Sequence, residues 1–213
     1  MSRRFSLDLG LLETMKPSQT FPRSIVFAAV LAAAFFVAGC ATKLAPPITG
    51  YTCCNLRPDY GWVSSTNMLG GAIVPAGEPV VIDTMKRDKY AYGTIGGDYV
   101  SLRDDTARSK EDMQRWMRQI VVPTDPKLTL ASWSSDVQKA VYSAKVVAGM
   151  TKPQVLMSLS YPSRSDTKDL NGNTWRYWTT QEDEPVDILF GGDGTVSGFS
   201  GKPSAVRAVE FKR

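Results

Sequence analysis

Hydrophobic residues follow three patterns along this chain, and each pattern predicts a different kind of element. Residues 25–38 form a continuous apolar run without a charged side chain, separated from Arg23 by one residue. Between residues 63 and 103, short apolar runs alternate with turns that contain proline or glycine, which indicates β-strands. From residue 113 onward, apolar residues recur at spacings of three and four, which predicts helices. Strand-like alternation returns near residue 175, so the whole pattern predicts an α+β fold.

The apolar run has the length and the flanks of a secretory signal. Its 14 residues would span about 21 Å as a helix, at about 1.5 Å per residue, which is shorter than the roughly 30 Å hydrocarbon core of a bilayer. A preceding positive charge and small residues after the run complete the layout of a signal peptide. We therefore expect residues 1–39 to be removed, with either Met1 or Met15 as the start of translation.

The residues that close this segment, Val37-Ala38-Gly39-Cys40, resemble the lipobox of bacterial lipoproteins. The resemblance implies that the Cys40 thiol is acylated, by palmitate or a similar chain, and that Cys40 becomes the mature N-terminus. Ala41 stands where an aspartate tends to hold such lipoproteins in the inner membrane. The resemblance therefore implies an outer-membrane location facing the periplasm. The alternative is an ordinary signal peptide followed by an unrelated cysteine.

Charge and residue content exclude several classes of function. The formal net charge of +4 falls to +2 when the four basic and two acidic residues of positions 1–39 are left out. So small an excess gives no reason to expect nucleic-acid binding, which usually involves a clustered basic face. The chain contains no histidine, which excludes Ser-His-Asp and Cys-His catalysis and the usual zinc sites. We therefore expect no enzymatic activity and no catalytic, cofactor-binding or metal-binding residue.

Three further groups of residues resemble functional motifs only in part. Asp169-x-Asn171-x-Asn173 begins like an EF-hand loop, but Thr180 stands where that loop needs a bidentate glutamate. The acidic run Glu182-Asp183-Glu184 has no second carboxylate placed to act as its acid/base partner. The adjacent Cys53 and Cys54 exclude a disulfide framework, and an eight-membered ring, two free thiols and a bridge between two chains all stay open.

The N-terminal half of the mature chain is expected to begin with a tether. Residues 40–60 contain three prolines and show no periodicity, which is typical of a linker. Residues 61–122 are predicted to form a small β module with a following helix. Within the module, strands at 90–95 and 98–102 flank Gly96-Gly97, a two-residue hairpin signal.

Two surface features of this half are candidates for binding. Lys86-Arg87-Asp88-Lys89 predicts a basic turn, which is expected either to be solvated or to contact anionic lipid or cell-wall polymer. Tyr60 and Trp62 either cover the first strand of the module or form an exposed patch for a partner.

Helical periodicity occurs three times after Ser109. The first helix has its apolar residues on one face: Met113, Trp116, Met117 and Ile120. A second apolar stripe runs through residues 137–148, with Gly149 where a helix C-cap belongs. The third helix begins with a capping box formed by Thr151 and Gln154.

Strands are predicted to follow these helices. They are Trp175–Trp178, residues 186–190, a segment that resumes at Val196, and residues 206–211. Two helices followed by antiparallel strands predict an α+β domain over residues 134–213. Val155 and Leu159 of the third predicted helix are then expected to face the sheet.

The C-terminal half resembles the BamE/SmpA family, small lipoproteins of the outer-membrane β-barrel assembly machinery. The motifs are Gly149-Met150-Thr151-Lys152-x-Gln154-Val155, Leu159-Ser160-Tyr161-Pro162, Trp175-x-Tyr177, the strand at 186–190, and Gly194-Thr195-Val196. The match covers about residues 137–200, and Ser160 stands where the family usually has glycine. Residues 73–82, two apolar runs around a Pro/Gly turn, more weakly resemble bacterial SH3-like domains. The resemblances imply an SH3-like module followed by two helices and an antiparallel three-stranded sheet.

These resemblances imply one of two functions. The first is a non-enzymatic lipoprotein that docks other proteins and supports outer-membrane assembly or integrity, with contacts expected through Trp175–Trp178 or the basic turn. The second is cell-wall binding, in which the SH3-like module recognises peptidoglycan. We therefore expect membrane attachment through Cys40 and an outer-membrane or periplasmic protein partner, with peptidoglycan as the alternative and no nucleic acid.

Overall fold

The computed structural model describes residues 41–179 and 184–212. These residues contain ten strands in two sheets and five helices. The fold is mixed α+β, as the sequence predicts. The strands are β1 (Thr42–Thr52), β2 (Trp62–Ser64), β3 (Met68–Leu69), β4 (Pro79–Lys86), β5 (Tyr90–Ile95), β6 (Asp98–Arg103), β7 (Val121–Val122), β8 (Thr174–Thr179), β9 (Glu184–Phe190) and β10 (Val196–Gly201). The helices are α1 (Lys110–Ile120), α2 (Lys127–Ala131), α3 (Ser135–Tyr142), α4 (Lys152–Leu159) and α5 (Pro203–Val209).

The first sheet has the strand order β2-β6-β5-β4-β1-β7. Neighbouring strands are antiparallel except β2 and β6, which run parallel. The predicted hairpin is confirmed, since Ile95 pairs with Asp98 across Gly96 and Gly97. Both glycines have positive φ, 62° and 93°, and this conformation explains why the turn uses glycine.

The first strand corrects the prediction that residues 40–60 form a linker without regular structure. β1 pairs with β4 on one side and with β7 on the other, and Ile48 packs against the core beneath the sheet. Pro46 and Pro47 lie within an interruption of the β1–β4 pairing, which is where a strand tolerates proline. These prolines and the polar residues around them conceal the strand in the sequence. The chain is therefore part of the first sheet from Thr42 onward.

Helix α1 packs its predicted apolar face against the first sheet. Ser109 caps the helix by accepting a hydrogen bond from the Asp112 N–H at 3.2 Å. The four residues of the predicted face are all buried: Met113, Trp116, Met117 and Ile120. They share one core with Ile82 and Leu102 of the sheet, which confirms the helix and its orientation.

The second sheet has the strand order β10-β9-β8-β3 and carries the C-terminal core. Val155 and Leu159 of α4 are buried in one cluster with Trp175 and Tyr177 of β8. The predicted burial of both helix residues against the sheet is therefore confirmed. β3 comes from the N-terminal half of the chain and pairs in parallel with β8.

Helix α3 is shorter than the predicted stripe over residues 137–148. It ends at Tyr142 because Ala144 takes a left-handed conformation, with φ of 48°. The Ala144 N–H donates to the Val141 carbonyl at 2.9 Å, and the Lys145 N–H donates to the Ala140 carbonyl at 2.9 Å. These two bonds form a Schellman motif, which satisfies the last carbonyls of the helix. Buried residues beyond it continue the apolar spacing in extended backbone, so the stripe overstates the helix.

The strand predicted at residues 206–211 is wrong, because this segment contributes to helix α5. Pro203 occupies the first turn of α5, where its missing N–H has no helical partner. Ala205 and Val209 are buried one turn apart, which is helical spacing. The alternation of small and apolar residues here fits both a strand and a helix.

Buried polar side chains connect the N-terminal half of the chain to the C-terminal half. The amides of Asn55 and Asn67 donate to four backbone carbonyls at 2.6–3.1 Å, those of Val141, Ser158, Leu159 and Tyr161. The buried Asp104 forms an ion pair with Arg164 at 2.7 Å. Together with β3, these contacts make the described residues part of one compact unit.

Candidate binding surface

Four aromatic side chains lie together on the outer face of the first sheet: Trp62 on β2, Tyr90 and Tyr92 on β5, and Tyr99 on β6. Trp62 meets Tyr90 and Tyr92 edge to face, with ring centroids 5.6 and 6.1 Å apart. Tyr92 stacks on Tyr99 at 6.4 Å, with 18° between the ring planes. We name these four residues the aromatic surface.

Strand alternation explains why these rings point outward. Ala91, Val100 and Leu102 are buried in the core beneath the sheet. Successive side chains of a strand point to opposite faces, so the tyrosines next to them in sequence face away from that core. Tyr99 is 72% exposed, although a tyrosine ring is a large apolar group. An exposed ring within a contiguous aromatic group is typical of a binding surface.

A cleft of about 230 Å³ borders Trp62 at one side of the aromatic surface. Its lining combines rings with charged and hydroxyl groups, including Arg57, Asp59, Tyr60, Ser64 and Arg103. Tyr60 is 97% exposed. The cleft can therefore offer stacking and hydrogen bonds of both polarities to a ligand. Of the two predicted roles for Tyr60 and Trp62, the structure favours the patch for Tyr60, while Trp62 both packs on β5 and lines the cleft.

The guanidinium of Arg57 lies partly buried at this cleft. Its two terminal nitrogens donate to the carbonyls of Gly70 and Ala144 at 3.5 and 3.3 Å. Its Nε is buried and has no hydrogen-bond partner within residues 41–179 and 184–212. Burial lowers the pKa of Arg57 from its usual value, and the long hydrogen bonds leave its charge only partly compensated.

The aromatic strand Trp175–Trp178, which was predicted as a contact for partners, lies mainly in the core. Trp175 and Tyr177 are each 1% exposed. Between them, Arg176 faces outward and binds Asp187 of β9 through two hydrogen bonds of 2.7 and 2.8 Å. The prediction is therefore wrong for Trp175 and Tyr177, since rings that fill the interior cannot reach a partner.

The basic turn Lys86–Lys89 connects β4 to β5, as the sequence predicts for a turn. Lys86 pairs with Tyr90 at the base of the hairpin, and the side chains of Arg87 and Lys89 are exposed. Arg87 and Asp88 have φ of 53° and 55°, a left-handed conformation that is uncommon for residues other than glycine.

A second concave surface lies along the first strand. It is a groove of about 560 Å³ between β1 and α1, lined in part by Lys43, Lys110 and Arg118. Lys43 forms an ion pair with Asp83 of β4 at 2.7 Å. The cationic residues of the groove place positive charge near β1. The groove itself is too open to enclose a ligand.

The other motifs have local structural roles. Asp169 accepts a hydrogen bond from the Asn171 N–H at 2.8 Å, which holds the turn before β8. Glu184 is buried and paired with Lys202, whereas Glu182 and Asp183 lie outside the described residues. No group of three or more His, Cys, Asp or Glu side chains in the described part of the chain is arranged to hold a metal ion. Of the three states left open for Cys53 and Cys54, the structure has the disulfide ring.

The predicted lipid attachment residue, Cys40, lies outside the described residues, as does the predicted signal peptide. The first described residue is Ala41, directly after it. Among residues 41–179 and 184–212, no helix combines the length and the apolar character needed to cross a bilayer.

Sequence reasoning missed three members of the aromatic surface. The sequence pattern predicts Tyr90, Tyr92 and Tyr99 in strands without identifying the face that they share. A signal was available, because Tyr90 and Tyr92 alternate with the small apolar Ala91 and therefore share one face of a strand. The position of Tyr99 opposite Thr94 follows from the Gly96-Gly97 turn.

Comparisons with protein-family models, with curated proteins and with solved structures find no match to this chain. The functional argument therefore depends on the residues and the geometry described above.

Proposed function

We propose that this protein is a non-enzymatic, lipid-anchored docking protein of the bacterial cell envelope. Acylated Cys40 would hold it at the periplasmic face of the outer membrane, and the aromatic surface would bind a protein that supports outer-membrane assembly or integrity. The observation that carries the docking role is the contiguous aromatic face on the first sheet, in which half-buried Trp62 and Tyr92 adjoin the exposed Tyr99.

The chemistry of this surface supports a protein partner. Tyrosine, tryptophan and arginine are enriched in the residues that dominate protein–protein binding energy. The rings of tyrosine and tryptophan are buried with little loss of conformational entropy, because each of these side chains has only two χ angles. The rings stand on β2, β5 and β6, which are hydrogen-bonded neighbours. The surface is therefore ordered before it binds, which reduces the entropic cost of association.

The finer fold assignment belongs to the same proposal. The first sheet would be an SH3-like module, and α3, α4 and β8–β10 would be a BamE/SmpA-like domain. Two features support the second assignment: α3 and α4 pack in one core with the antiparallel sheet, and Ser160 has φ of 64°. The family usually has glycine at this position, and a positive φ is what glycine adopts most readily.

Peptidoglycan binding is the second candidate, and the cleft beside Trp62 favours it. Rings next to Asp59, Ser64 and Arg103 could pack on sugar faces while hydrogen-bonding to hydroxyl and amide groups, the usual composition of a ligand site. This candidate differs from the first in one measurable respect, because the mature protein would bind purified cell-wall sacculi that have been stripped of protein.

Genetic rescue tests the docking function. Loss of the gene should increase the entry of large antibiotics and detergents through the outer membrane, and the wild-type gene should restore the barrier. We expect Tyr99→Ser combined with Trp62→Ser to fail in rescue although the protein accumulates normally. The matched control is Tyr142→Ser, which removes a tyrosine that is 68% exposed on α3.

The outcomes separate the candidates. Failure of the aromatic variant together with rescue by Tyr142→Ser supports docking through the aromatic surface. Full rescue by the aromatic variant would contradict it. Binding of the wild-type protein to stripped sacculi, lost in the aromatic variant, would replace the protein partner by peptidoglycan.

A further inference from the structure

The anchor and the first sheet are joined without a spacer. β1 begins at Thr42, two residues after Cys40. Consecutive Cα atoms are 3.8 Å apart, so the Cα atoms of Cys40 and Thr42 are separated by at most about 7.6 Å. An acyl chain on Cys40 would therefore hold the beginning of β1 at the membrane surface. A flexible tether would instead let the domain move away from the bilayer.

Strand register places the basic turn at the same end of the sheet. Thr42 pairs with Met85 of β4, and Lys86 is the next residue along that strand. With about 4.8 Å between strands and about 3.4 Å per residue, the Cα of Lys86 is roughly 6 Å from that of Thr42. The basic turn follows directly. The start of β1, which follows the proposed anchor, therefore lies beside the three cationic residues of the basic turn.

The net charge at this end comes from the basic turn. The nearby ion pairs Lys43–Asp83 and Arg103–Asp105 each have an N···O distance of 2.7 Å. Each pair is neutral overall. The turn itself carries Lys86, Arg87 and Lys89 against Asp88, a local excess of two positive charges. The groove cations Lys110 and Arg118 add to this sign along β1.

The backbone of the turn provides a second observation. Arg87 and Asp88 both adopt left-handed φ values, which an L-residue with a side chain adopts only at a conformational cost. Glycine would occupy the position of Arg87 without that cost. The turn therefore holds an exposed cationic side chain at a position where glycine would be less strained.

We infer that the basic turn binds the headgroup phosphates of anionic phospholipids beside the anchor and fixes the orientation of the domain on the membrane. This inference rests on the proposed anchoring at Cys40. With the basic turn at the bilayer, the strands of the first sheet point away from it. Tyr99 pairs with Thr94, four residues beyond Tyr90 on β5, and so stands about 13 Å farther from the bilayer than Tyr90. The Tyr99 end of the aromatic surface is then presented toward the periplasm, while Tyr90 lies next to the basic turn.

The charge predicts the strength of this contact. Each Lys or Arg near an anionic surface strengthens association by about fivefold. A net excess of two charges therefore favours the bound orientation by roughly 25-fold over one in which the turn is in solution. The contact adds a second attachment to the lipid chain, and it should weaken at high ionic strength because salt screens surface charge.

Amine labelling of the full lipidated protein tests the inference without any mutation. The protein is reconstituted in vesicles of phosphatidylcholine and phosphatidylglycerol, or of phosphatidylcholine alone, and modification of each lysine is followed by mass spectrometry. We expect Lys89 to be modified at least about fivefold more slowly in the anionic vesicles, and this protection to disappear at high salt. Lys168, exposed in the loop before β8, is the internal control and should react equally in both.

Charge variants give the matched comparison. Lys43 lies at the same end of the sheet and should also be modified more slowly in the anionic vesicles at low salt. The variant Lys86→Gln/Arg87→Gln/Lys89→Gln should abolish this protection of Lys43. The control variant Lys139→Gln/Arg207→Gln/Lys212→Gln removes three exposed cations elsewhere and should leave the protection intact. Equal labelling of Lys89 in both kinds of vesicle, or equal effects of the two variants, would overturn the inference.

Failure here is distinguishable from failure of the proposed function. Flotation of the protein with both kinds of vesicle establishes the anchor independently of the turn, and a protein that floats with neither would refute the anchoring on which the inference rests. Rescue by the Tyr99 variants tests docking and does not depend on lipid charge.

Discussion

Replacing Asp104 by asparagine should be among the most destabilising isosteric changes available in this protein. Asp104 is fully buried at the end of β6. Its Oδ1 accepts hydrogen bonds from Ser65 Oγ at 2.8 Å and from the Thr106 N–H and Oγ1 at 3.0 and 2.8 Å. Its Oδ2 accepts from Arg164 Nη2 at 2.7 Å. One carboxylate thus joins β6, the β2–β3 connection and the loop after α4.

The loss of stability in Asp104→Asn can be derived by considering the two carboxylate oxygens of Asp104 separately. An asparagine oxygen can keep the three bonds at the Oδ1 position, so the loss falls on the contact with Arg164. There an NH₂ group would face the guanidinium, donor against donor. Losing a charge-assisted hydrogen bond costs about 2 kcal/mol, and an unsatisfied buried donor adds about 1 kcal/mol. Arg164 is partly exposed and can regain water, which keeps the total near 3 kcal/mol, the lower end for a broken buried pair.

Urea unfolding of the fragment 41–213 measures this effect. Asp105→Asn is the matched control, because Asp105 is the next residue and pairs with Arg103 at the surface, where such pairs are worth about 0–1 kcal/mol. We expect a lower unfolding midpoint for Asp104→Asn with an unchanged slope, and nearly wild-type behaviour for the control. Equal free energies of unfolding for the two variants would refute the assignment of Asp104 as a buried junction.

Three other predictions concern the C-terminal core. Leu159→Ala should lower the free energy of unfolding by about 2–5 kcal/mol, since it empties a buried site, and a loss below about 0.5 kcal/mol in urea titration would place Leu159 outside the core. Ser160→Gly should be about 1 kcal/mol more stable than Ser160→Ala, because only glycine relieves the strain of φ 64°, and the opposite order would contradict this. Burial, with a smaller contribution from Tyr161, raises the pKa of Tyr177 well above its usual value. Because the unfolded chain then loses the Tyr177 proton first, stability should fall as the pH rises above about 10, and less steeply in Tyr177→Phe; equal slopes for the two proteins would argue against the burial.

Elements marked by local chemistry were predictable from the sequence. The capping box is one, since Gln154 Oε1 accepts from the Thr151 N–H at 2.8 Å at the start of α4. The Gly96-Gly97 hairpin and the buried face of α1 are others. In each case the residues that give the signal are the ones that make the interaction, so no distant contact is needed to identify it.

Elements that depend on distant partners were not predictable. β1 has little apolar periodicity, and its two neighbours come from residues 79–86 and 121–122, which the local sequence cannot reveal. Ala144 ends α3 in a conformation usually taken by glycine, so the composition gave no stop signal. The aromatic surface needed both the strand faces and the pairing of β2 beside β6, a parallel contact that nothing in residues 61–64 indicates.

Photo-crosslinking in living cells tests the central proposal, docking through the aromatic surface, most directly. A photoreactive phenylalanine analogue is placed at Tyr99 in one strain and at the comparably exposed Tyr142 in another. The proposal predicts that position 99 captures an outer-membrane or periplasmic protein and that position 142 does not. Capture of glycan alone at position 99, equal capture at both positions, or no capture at position 99 would contradict it.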